Sequence, residues 1–491
     1  MPRPTALPRA LPPAIQVLPR SRARRDRDAQ PPARPVEMIR FTSLAAGKEI
    51  GAHAYLLEFD SLRVVLDAGT HPKRDGLASL PRLGDLPFGS VDAILLSHAH
   101  LDHSGALPVM AREHPGARIL MSEATRVLSD ALLHNSVNVM TSQRDELRLA
   151  EYPLYTHREL ERLYPRWETA PMRSPFPVTD GADVRCEFFE AGHILGASAI
   201  LLERQGHRIL YTGDIHFEEQ SVTRGAALPT SGVDTVIVET TRGNVARDPD
   251  YTREREMDRL AGHINEVIKR GGSVLAPVFA MGKTQELLVM LHDLKQRGEI
   301  PDSPIHIGGL GTKMTRLYDM LGGRPSRLRP NMRILEEVRI VISSSKKRAG
   351  QMEYHPRCIY ALSSGMMSPK TVSNIFARQI LENERCGLFF VGYADPESPA
   401  GRILATDPGQ PVQLDPEDRP RALRCEVQKF DFSGHATRES ILSYLETLQP
   451  STVILVHGDE AALAWFGQNL PAKLPKARIV VPEPGTAYDL L

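Results

Sequence analysis

Cysteine is scarce and scattered in this chain. Cys186, Cys358, Cys386 and Cys425 are the only four in 491 residues, and no two form a Cys-x-x-Cys pair. That excludes a disulfide framework and a cysteine-ligated zinc site, and it fits a reducing, cytoplasmic setting. Aromatic residues are few at 6%, but hydrophobic residues reach 41%, enough for a chain of this length to bury a sizeable core in two or three domains. Neither sign of charge prevails, because 60 Lys and Arg offset 60 Asp and Glu. No overall field therefore gathers a polyanion, and a nucleic-acid substrate has to be held by local basic patches or by metal ions. No apolar run approaches the roughly 18 residues of a membrane helix, so no membrane partner is expected.

Residues 1–37 are dense in Pro and Arg, with Arg22-Ala-Arg-Arg-Asp-Arg27 at their centre. Prolines at this density break helices and central strands, and the apolar core of a secretory signal is missing. The stretch reads as a disordered, solvated arm. From Met38 the pattern turns ordered. Residues 54–59 and 62–66 read as a hairpin with Asp60-Ser61 at its turn, and 92–96 as a short buried strand. Helices are expected at 107–113 and 125–133, and further strands at 184–189, 208–213 and 233–238.

The strand at 92–96 delivers Ser97-His98-Ala99-His100-Leu101-Asp102-His103-Ser104-Gly105. Three imidazoles and a carboxylate fall within six residues, and Gly105 is expected to turn the chain directly afterwards. A tight loop cannot aim all four groups at one small cation. His98 and His100 point to one side, while Asp102 and His103 reach a neighbouring point. Nitrogen and oxygen donors at this spacing suit borderline cations, zinc first, with manganese not sharply excluded. Asp67, His98, Asp214, Glu239 and His457 each stand at or just past the end of a short apolar strand. That edge is where ligands collect in layered α/β proteins, although an Asp such as Asp67 also serves there as a turn residue or helix cap.

The middle of the chain alternates helices with strands. Helical spacing covers 252–269, 284–297 and 372–381, and strands are expected at 273–279, 338–342, 358–362 and 387–391. This order implies a second α/β unit with a largely parallel sheet. The first unit resumes near Phe432-Ser-Gly-His-Ala436, which makes the middle unit an insertion. The expected division is an arm at 1–37, a first domain in two parts at 38–242 and 430–491, and an inserted domain at 243–429.

Taken in order, Asp67, His98 to His103, His193 in its Gly-His-x-x-Gly setting, Asp214, Glu239, His435 and His457 resemble the motif set of the β-CASP nucleases. These are a branch of the metallo-β-lactamase fold, and the resemblance is to their bacterial and archaeal RNA-processing exonuclease type, related to the cleavage-and-polyadenylation endonuclease subunit. The resemblance runs from about residue 40 to the end. It implies an αββα sandwich interrupted by an inserted α/β β-CASP domain, and two zinc ions per chain. One ion takes His98, His100, His193 and a bridging Asp214; the other takes Asp102, His103, Asp214 and His457. Asp67 orients the histidine loop from behind the ligands. Asp102, Glu239 and His435 are the implied catalytic groups, with His435, steered by Glu239, protonating the leaving oxygen or binding the phosphate.

Pro277-Val-Phe-Ala-Met-Gly-Lys-Thr-Gln-Glu286 resembles a family segment in which an Arg usually stands at the place of Lys283. It also mimics a phosphate-binding Walker loop, whose spacing demands Gly where Pro277 stands, and an ATPase is rejected on that ground. Lys283 and Ser364 are the implied contacts to substrate phosphate; 392–402 also resembles a family segment. The basic run at 344–348 reads as a solvated loop. Two departures stand out: Gly308-Gly-Leu-Gly-Thr312 replaces a different family segment, and Thr437 stands where many relatives have Asp.

The expected activity is a zinc-dependent ribonuclease, endonucleolytic or 5′-exonucleolytic, acting on single-stranded RNA in RNA processing or decay. His457 favours RNA, because the DNA-repair branch of the family usually lacks a histidine there. A DNA nuclease of the same fold and a thioesterase or lactonase sharing the metal loop are the alternatives. A non-catalytic scaffold is disfavoured, since no implied ligand is missing. The resemblance also allows a homodimer.

Overall fold

The computed structural model describes residues 38–491 apart from 46, 324–326 and 343–351. The Pro/Arg-rich arm and the basic run at 344–348 lie outside the described residues. The fold is α/β, built on two seven-stranded mixed sheets and one six-stranded parallel sheet.

The first mixed sheet runs, in spatial order, Ala487–Asp489, Ile39–Ser43, Tyr55–Phe59, Leu62–Leu66, Ala93–Leu95, Arg118–Met121 and Trp167–Thr169. The second runs Arg478–Val480, Thr452–Val456, Thr235–Glu239, His207–Tyr211, Ser198–Arg204, Arg185–Glu190 and Phe176–Pro177. Period-2 alternation decides how they stack. Val64, Leu66 and Leu95 of the first sheet share one buried cluster with Ile200, Ile209, Ile237 and Ile454 of the second. Val65 and Ile94, on the opposite face, pack instead with Leu107, Met110, Val137 and Leu160 of helices Leu107–Glu113, Glu123–Leu147 and His157–Leu163. The other face of the second sheet buries Leu210, Val236 and Leu455 against Ile441 and Leu445 of helix Arg438–Leu448 and Phe466 of helix Glu460–Lys473. Both faces of each sheet are covered, so the central strands read as continuous apolar runs. At roughly 1.5–3 kcal/mol for each buried Val, Leu or Ile, this double layer is the main cohesive term.

The parallel sheet has the order Ile340–Ile342, Ile305–Ile307, Ile359–Leu362, Val274–Pro277, Gly387–Val391, Glu426–Phe430. Parallel neighbours need crossovers, and helices Lys283–Gln296, Gly309–Met320 and Val372–Ala377 lie in them. Val274 and Ala276 belong to the same buried cluster as Val236 and Leu455 of the second mixed sheet. Glu286 ties the two together with charge. It is 3% exposed and accepts N–H bonds from Ser221 (2.7 and 2.9 Å) and Val222 (3.0 Å), and it pairs with Arg253.

Three local expectations change. Gly105 does not turn the chain: its φ is −63°, and residues Leu101–Ser104 form a helical turn that leads on towards Leu107–Glu113. Glycine is needed because a Cβ would lie 2.2 Å from Thr70 Oγ1 and 2.6 Å from the Leu101 carbonyl. The helix expected at 125–133 extends over Glu123–Leu147, because Val137 and Met140 continue its buried face past polar His134 and Asn135. Gly308-Gly-Leu-Gly-Thr312 opens helix Gly309–Met320, whose Met314 and Tyr318 are buried; two glycines concealed it from the sequence pattern. Thr437, the second departure, caps helix Arg438–Leu448 by accepting the Ser440 N–H at 3.1 Å, a role any small oxygen side chain fills.

Replacing Glu286 by alanine strands two buried N–H groups and Arg253. We expect a loss of about 3 kcal/mol, read as a lower denaturant midpoint at unchanged m-value. A midpoint equal to wild type would contradict the role given to this carboxylate.

Candidate metal centre

The strand ends bring distant segments to one edge. Strand Thr235–Glu239 pairs in parallel with Thr452–Val456, Glu239 opposite Val456, and with His207–Tyr211 on its other side. That pairing sets His457 beside Glu239 and Asp214, and the Thr240 N–H donates to the His457 carbonyl at 3.1 Å. The segment carrying His435 is pinned by Ala436 N–H on the Ile215 carbonyl (2.6 Å) and by His193 Nδ1 on the Gly434 carbonyl (2.7 Å).

Asp67 is the buried anchor of the histidine turn. It sits at φ +61°, a left-handed position that Asp tolerates better than most residues. Its Oδ1 accepts the Ser97 N–H at 2.6 Å; its Oδ2 accepts from Ser97 Oγ (2.7 Å), His103 Nδ1 (2.7 Å) and Tyr211 Oη (2.6 Å). Burial, reinforced by the Asp67 charge, holds the Tyr211 phenol well above its usual value, so it stays a donor. Gly69 allows the close approach this requires, since a Cβ there would lie 1.6 Å from the Asp102 carbonyl oxygen.

Outer hydrogen bonds assign the tautomers of the inner rings. Ser97 Oγ gives its proton to Asp67 and lies 3.1 Å from His98 Nδ1, which therefore carries hydrogen and leaves the Nε2 lone pair free. His193 donates Nδ1–H to Gly434 and His103 donates Nδ1–H to Asp67, again freeing Nε2. Burial and the neighbouring His103 hold His98 well below the ordinary imidazole value; burial and His435 do the same for His193. Neutral imidazole is the ligand form.

Two groups of four donors result. In the first, His98 Nε2 and His193 Nε2 are each 3.5 Å from Asp214 Oδ2, and 3.2 and 3.1 Å from His100 Nδ1. In the second, His103 Nε2 is 3.3 Å from Asp214 Oδ1 and 3.7 Å from Asp102 Oδ2. His457 Nε2 is 3.2 and 3.5 Å from the same two oxygens. A tetrahedron with zinc–donor bonds of about 2.0–2.1 Å has edges of about 3.3–3.4 Å, and both groups match it. Asp214, 2% exposed, offers one oxygen to each. His103 Nε2, His457 Nε2 and Asp214 Oδ1 are buried without any hydrogen-bond partner among the described residues. Such atoms are costly unless a cation meets them, so the residues present fit a pair of ions sharing Asp214.

Beside these groups, His435 Nδ1 lies 3.2 and 3.1 Å from the two oxygens of Glu239. Burial disfavours charge on this ring, but the Glu239 and Asp214 carboxylates outweigh it and raise its pKa. Its side chain keeps 18% exposure, and with Nδ1 held by Glu239 the nitrogen left to meet a substrate is Nε2.

All seven expected ligands, with Asp67, Glu239 and His435, thus converge. The two expected phosphate contacts, Lys283 and Ser364, are engaged with other groups of the protein. Lys283 spends its ammonium on the Phe432 carbonyl (2.6 Å) and Gln220 Oε1 (3.2 Å), and burial lowers its pKa to about 8. It braces the segment leading to His435. Ser364 lies in the turn after Ile359–Leu362, its hydroxyl accepting the Ser368 N–H at 3.2 Å.

Three supporting residues escaped the sequence pattern: Ser97, Tyr211 and His53. His53 lies among the second donor group, but its Nε2 accepts the Gly51 N–H (2.9 Å) and its Nδ1 meets Tyr55 Oη (3.0 Å). Its ring stacks on His457 at 4.0 Å, so it supports that ligand rather than joining it. A histidine just before a buried strand was the available signal; the hydroxyls carry none of comparable specificity.

An αββα sandwich with a paired histidine–aspartate centre at its strand ends defines a metallo-hydrolase of the metallo-β-lactamase type. Comparison with protein-family models agrees: residues 47–254 match the metallo-beta-lactamase superfamily, 284–403 the Beta-Casp domain, and 421–482 the Zn-dependent metallo-hydrolase RNA specificity domain. The chain belongs to the β-CASP family of metallo-β-lactamase proteins. Among curated relatives, it is 28% identical over 455 residues to cleavage and polyadenylation specificity factor subunit 3 of Dictyostelium discoideum, covering 91% of this chain and 57% of that protein. It is 30% identical over 437 residues to endoribonuclease YSH1 of Kluyveromyces lactis, covering 86% and 55%. The chain thus spans little more than half the length of these relatives. A protein of unknown function from Enterococcus faecalis shares the fold at a TM-score of 0.53 and 15% identity, over 92% of this chain and all of that one.

Asp67→Asn places an amide hydrogen or a single oxygen where four donors now converge. We expect it to weaken zinc retention about 10–100-fold in chelator competition, with the fold kept by circular dichroism. Wild-type retention would show that Asp67 does not orient the ligands.

Proposed function

We propose that this protein is a zinc-dependent ribonuclease that cuts single-stranded RNA internally. The observation that carries the proposal is the shared Asp214 carboxylate between two tetrahedral donor groups, with the second nitrogen of His435 beside them. The two donor groups would hold a pair of zinc ions, and these would supply positive charge to polarise a phosphodiester and acidify a water. The protein's own groups do the rest. Asp214 presents one oxygen to each donor group, and the Asp67 network holds His98 and His103 in their ligand tautomers. Glu239 holds His435 Nδ1, which leaves Nε2 to deliver a proton to the leaving oxygen.

RNA is favoured over DNA by the RNA specificity match at 421–482, which contains both His435 and His457. Internal cleavage is favoured by the endoribonuclease relatives. On this reading, residues 38–242 and 430–491 form the metal-binding domain, and residues 243–429 the inserted β-CASP domain that flanks the RNA path. The seven converging histidines and aspartates are the ligands. A small-molecule hydrolase has less need of the Glu239–His435 pair.

The test is cleavage of a 5′-labelled single-stranded RNA and a DNA of equal length, with product sizes resolved. Wild type is expected to cut RNA internally, His100→Ala to abolish cleavage, and His435→Ala to slow it about 10²–10⁴-fold while retaining zinc. Equal activity of His100→Ala and wild type, preference for DNA, or thioester turnover without RNA cleavage would each overturn the proposal.

A further inference from the structure

Between His457 and Glu239 stands a side chain to which neither the sequence motifs nor the proposed chemistry gives a role. Thr241 Oγ1 lies 2.8 Å from His457 Nδ1 and donates to Glu239 Oε2; the His457 carbonyl is 3.3 Å away. A hydroxyl has one proton to give and two lone pairs to receive with. An ionised carboxylate only accepts, so the proton of Thr241 goes to Glu239. The hydroxyl oxygen then accepts Nδ1–H from His457. That fixes the His457 tautomer and leaves its Nε2 lone pair directed at the Asp102 and Asp214 oxygens, where it has no hydrogen-bond partner among the described residues.

Of the other four histidine ligands, His98, His103 and His193 are each steered by an oxygen of their own, Ser97 Oγ, the Asp67 carboxylate and the Gly434 carbonyl, while His100 Nε2 has no hydrogen-bond partner among the described residues. His457 differs in being steered through an intermediary whose carboxylate also holds His435, at 3.1–3.2 Å from Nδ1. Glu239 Oε1 in addition accepts the Ile215 N–H at 2.8 Å, next to Asp214. One anion, 1% exposed, therefore reaches the ring of a proposed ligand, the ring of the proposed proton donor and the backbone beside the shared carboxylate. Thr240, its sequence neighbour, acts elsewhere, since its hydroxyl donates to the Val456 carbonyl at 3.0 Å and secures the strand pairing.

We infer that Thr241 is a positioning residue that sets the tautomer and ring orientation of His457, and so the hold of the second donor group on its ion, by relaying the Glu239 carboxylate. This rests on the two-zinc reading of the site. The relay lets one buried carboxylate serve two histidines that it cannot both touch, and it predicts a loss confined to one ion. Stability alone gives no such selectivity.

The experiment compares Thr241→Val, Thr241→Ala and Thr241→Ser with wild type. Each purified full-length protein is loaded with zinc and titrated with a chelator, with melting temperature as the check on folding. The valine and alanine variants are expected to hold one of the two zinc ions about 10–100-fold less tightly and the other with wild-type affinity. Serine, which keeps the hydroxyl, is expected to restore the weakened ion to within about threefold. Should valine not fold at its branched shape, alanine carries the same expectation. Wild-type affinity for both ions in a folded valine or alanine variant would overturn the inference. So would equal weakening of both ions, or a serine variant as impaired as valine. Because no RNA enters the assay, a wild type that binds two zinc ions but cuts no RNA would refute the ribonuclease proposal and leave this test intact.

Discussion

A carboxylate removed from water has to be met by positive charge, and the centre of this protein is arranged around that demand. Asp214 is 2% exposed and has imidazole nitrogens within 3.2–3.5 Å on both of its oxygens. All four of those rings have their other nitrogen already hydrogen-bonded on the outside, so what they turn inward is a lone pair. Lone pairs and carboxylate oxygens crowded at this distance repel one another in the absence of cations. The surrounding fold holds them there regardless, and metal cations bound between them would be the charge that resolves the conflict.

The fold can do so because the holding groups come from several strands and not from one flexible loop. The histidine turn at 98–103 is gripped by Asp67 from the neighbouring strand end, and Asp67 in turn by Tyr211 from the opposing sheet. His457 arrives some two hundred residues after Glu239, yet the two strands that carry them are direct parallel neighbours. A whole parallel sheet is accommodated between them in sequence. Its apolar face continues the cluster that covers the second mixed sheet, and Glu286 and Lys283, at the start of helix Lys283–Gln296, bind the loops that lead to the centre. Helix and metal centre are thereby mechanically connected, which explains why a lysine that sequence pattern assigns to substrate is instead occupied with the Phe432 carbonyl.

Much of this was legible in the amino-acid sequence, for a physical reason. Strands such as Leu62–Leu66, Thr235–Glu239 and Thr452–Val456 are covered on both faces, so each stands out as an apolar run closed by a polar residue that faces the ligand edge. Asp67, Glu239 and His457 could be found that way, and the spacing within 98–103 did the rest. What sequence hid has an equally plain cause. Thr241, Ser97 and Tyr211 matter through bonds to residues remote in the chain, and a hydroxyl carries no local signature. Helix Gly309–Met320 begins with the residue type that ordinarily ends helices. Gly105 resembled a turn residue but is a point of close contact with Thr70. The bond that ties Lys283 down was hidden because the carbonyl that receives it lies 149 positions further on.

The most direct measurement is a zinc-loaded crystal structure with anomalous scattering recorded at the zinc edge. Two peaks about 3.5–4 Å apart, one within bonding distance of His98, His100 and His193, the other of Asp102, His103 and His457, and each touching a different oxygen of Asp214, are the predicted result. A single peak, or a pair that leaves Asp214 bound to one ion only, would contradict the account.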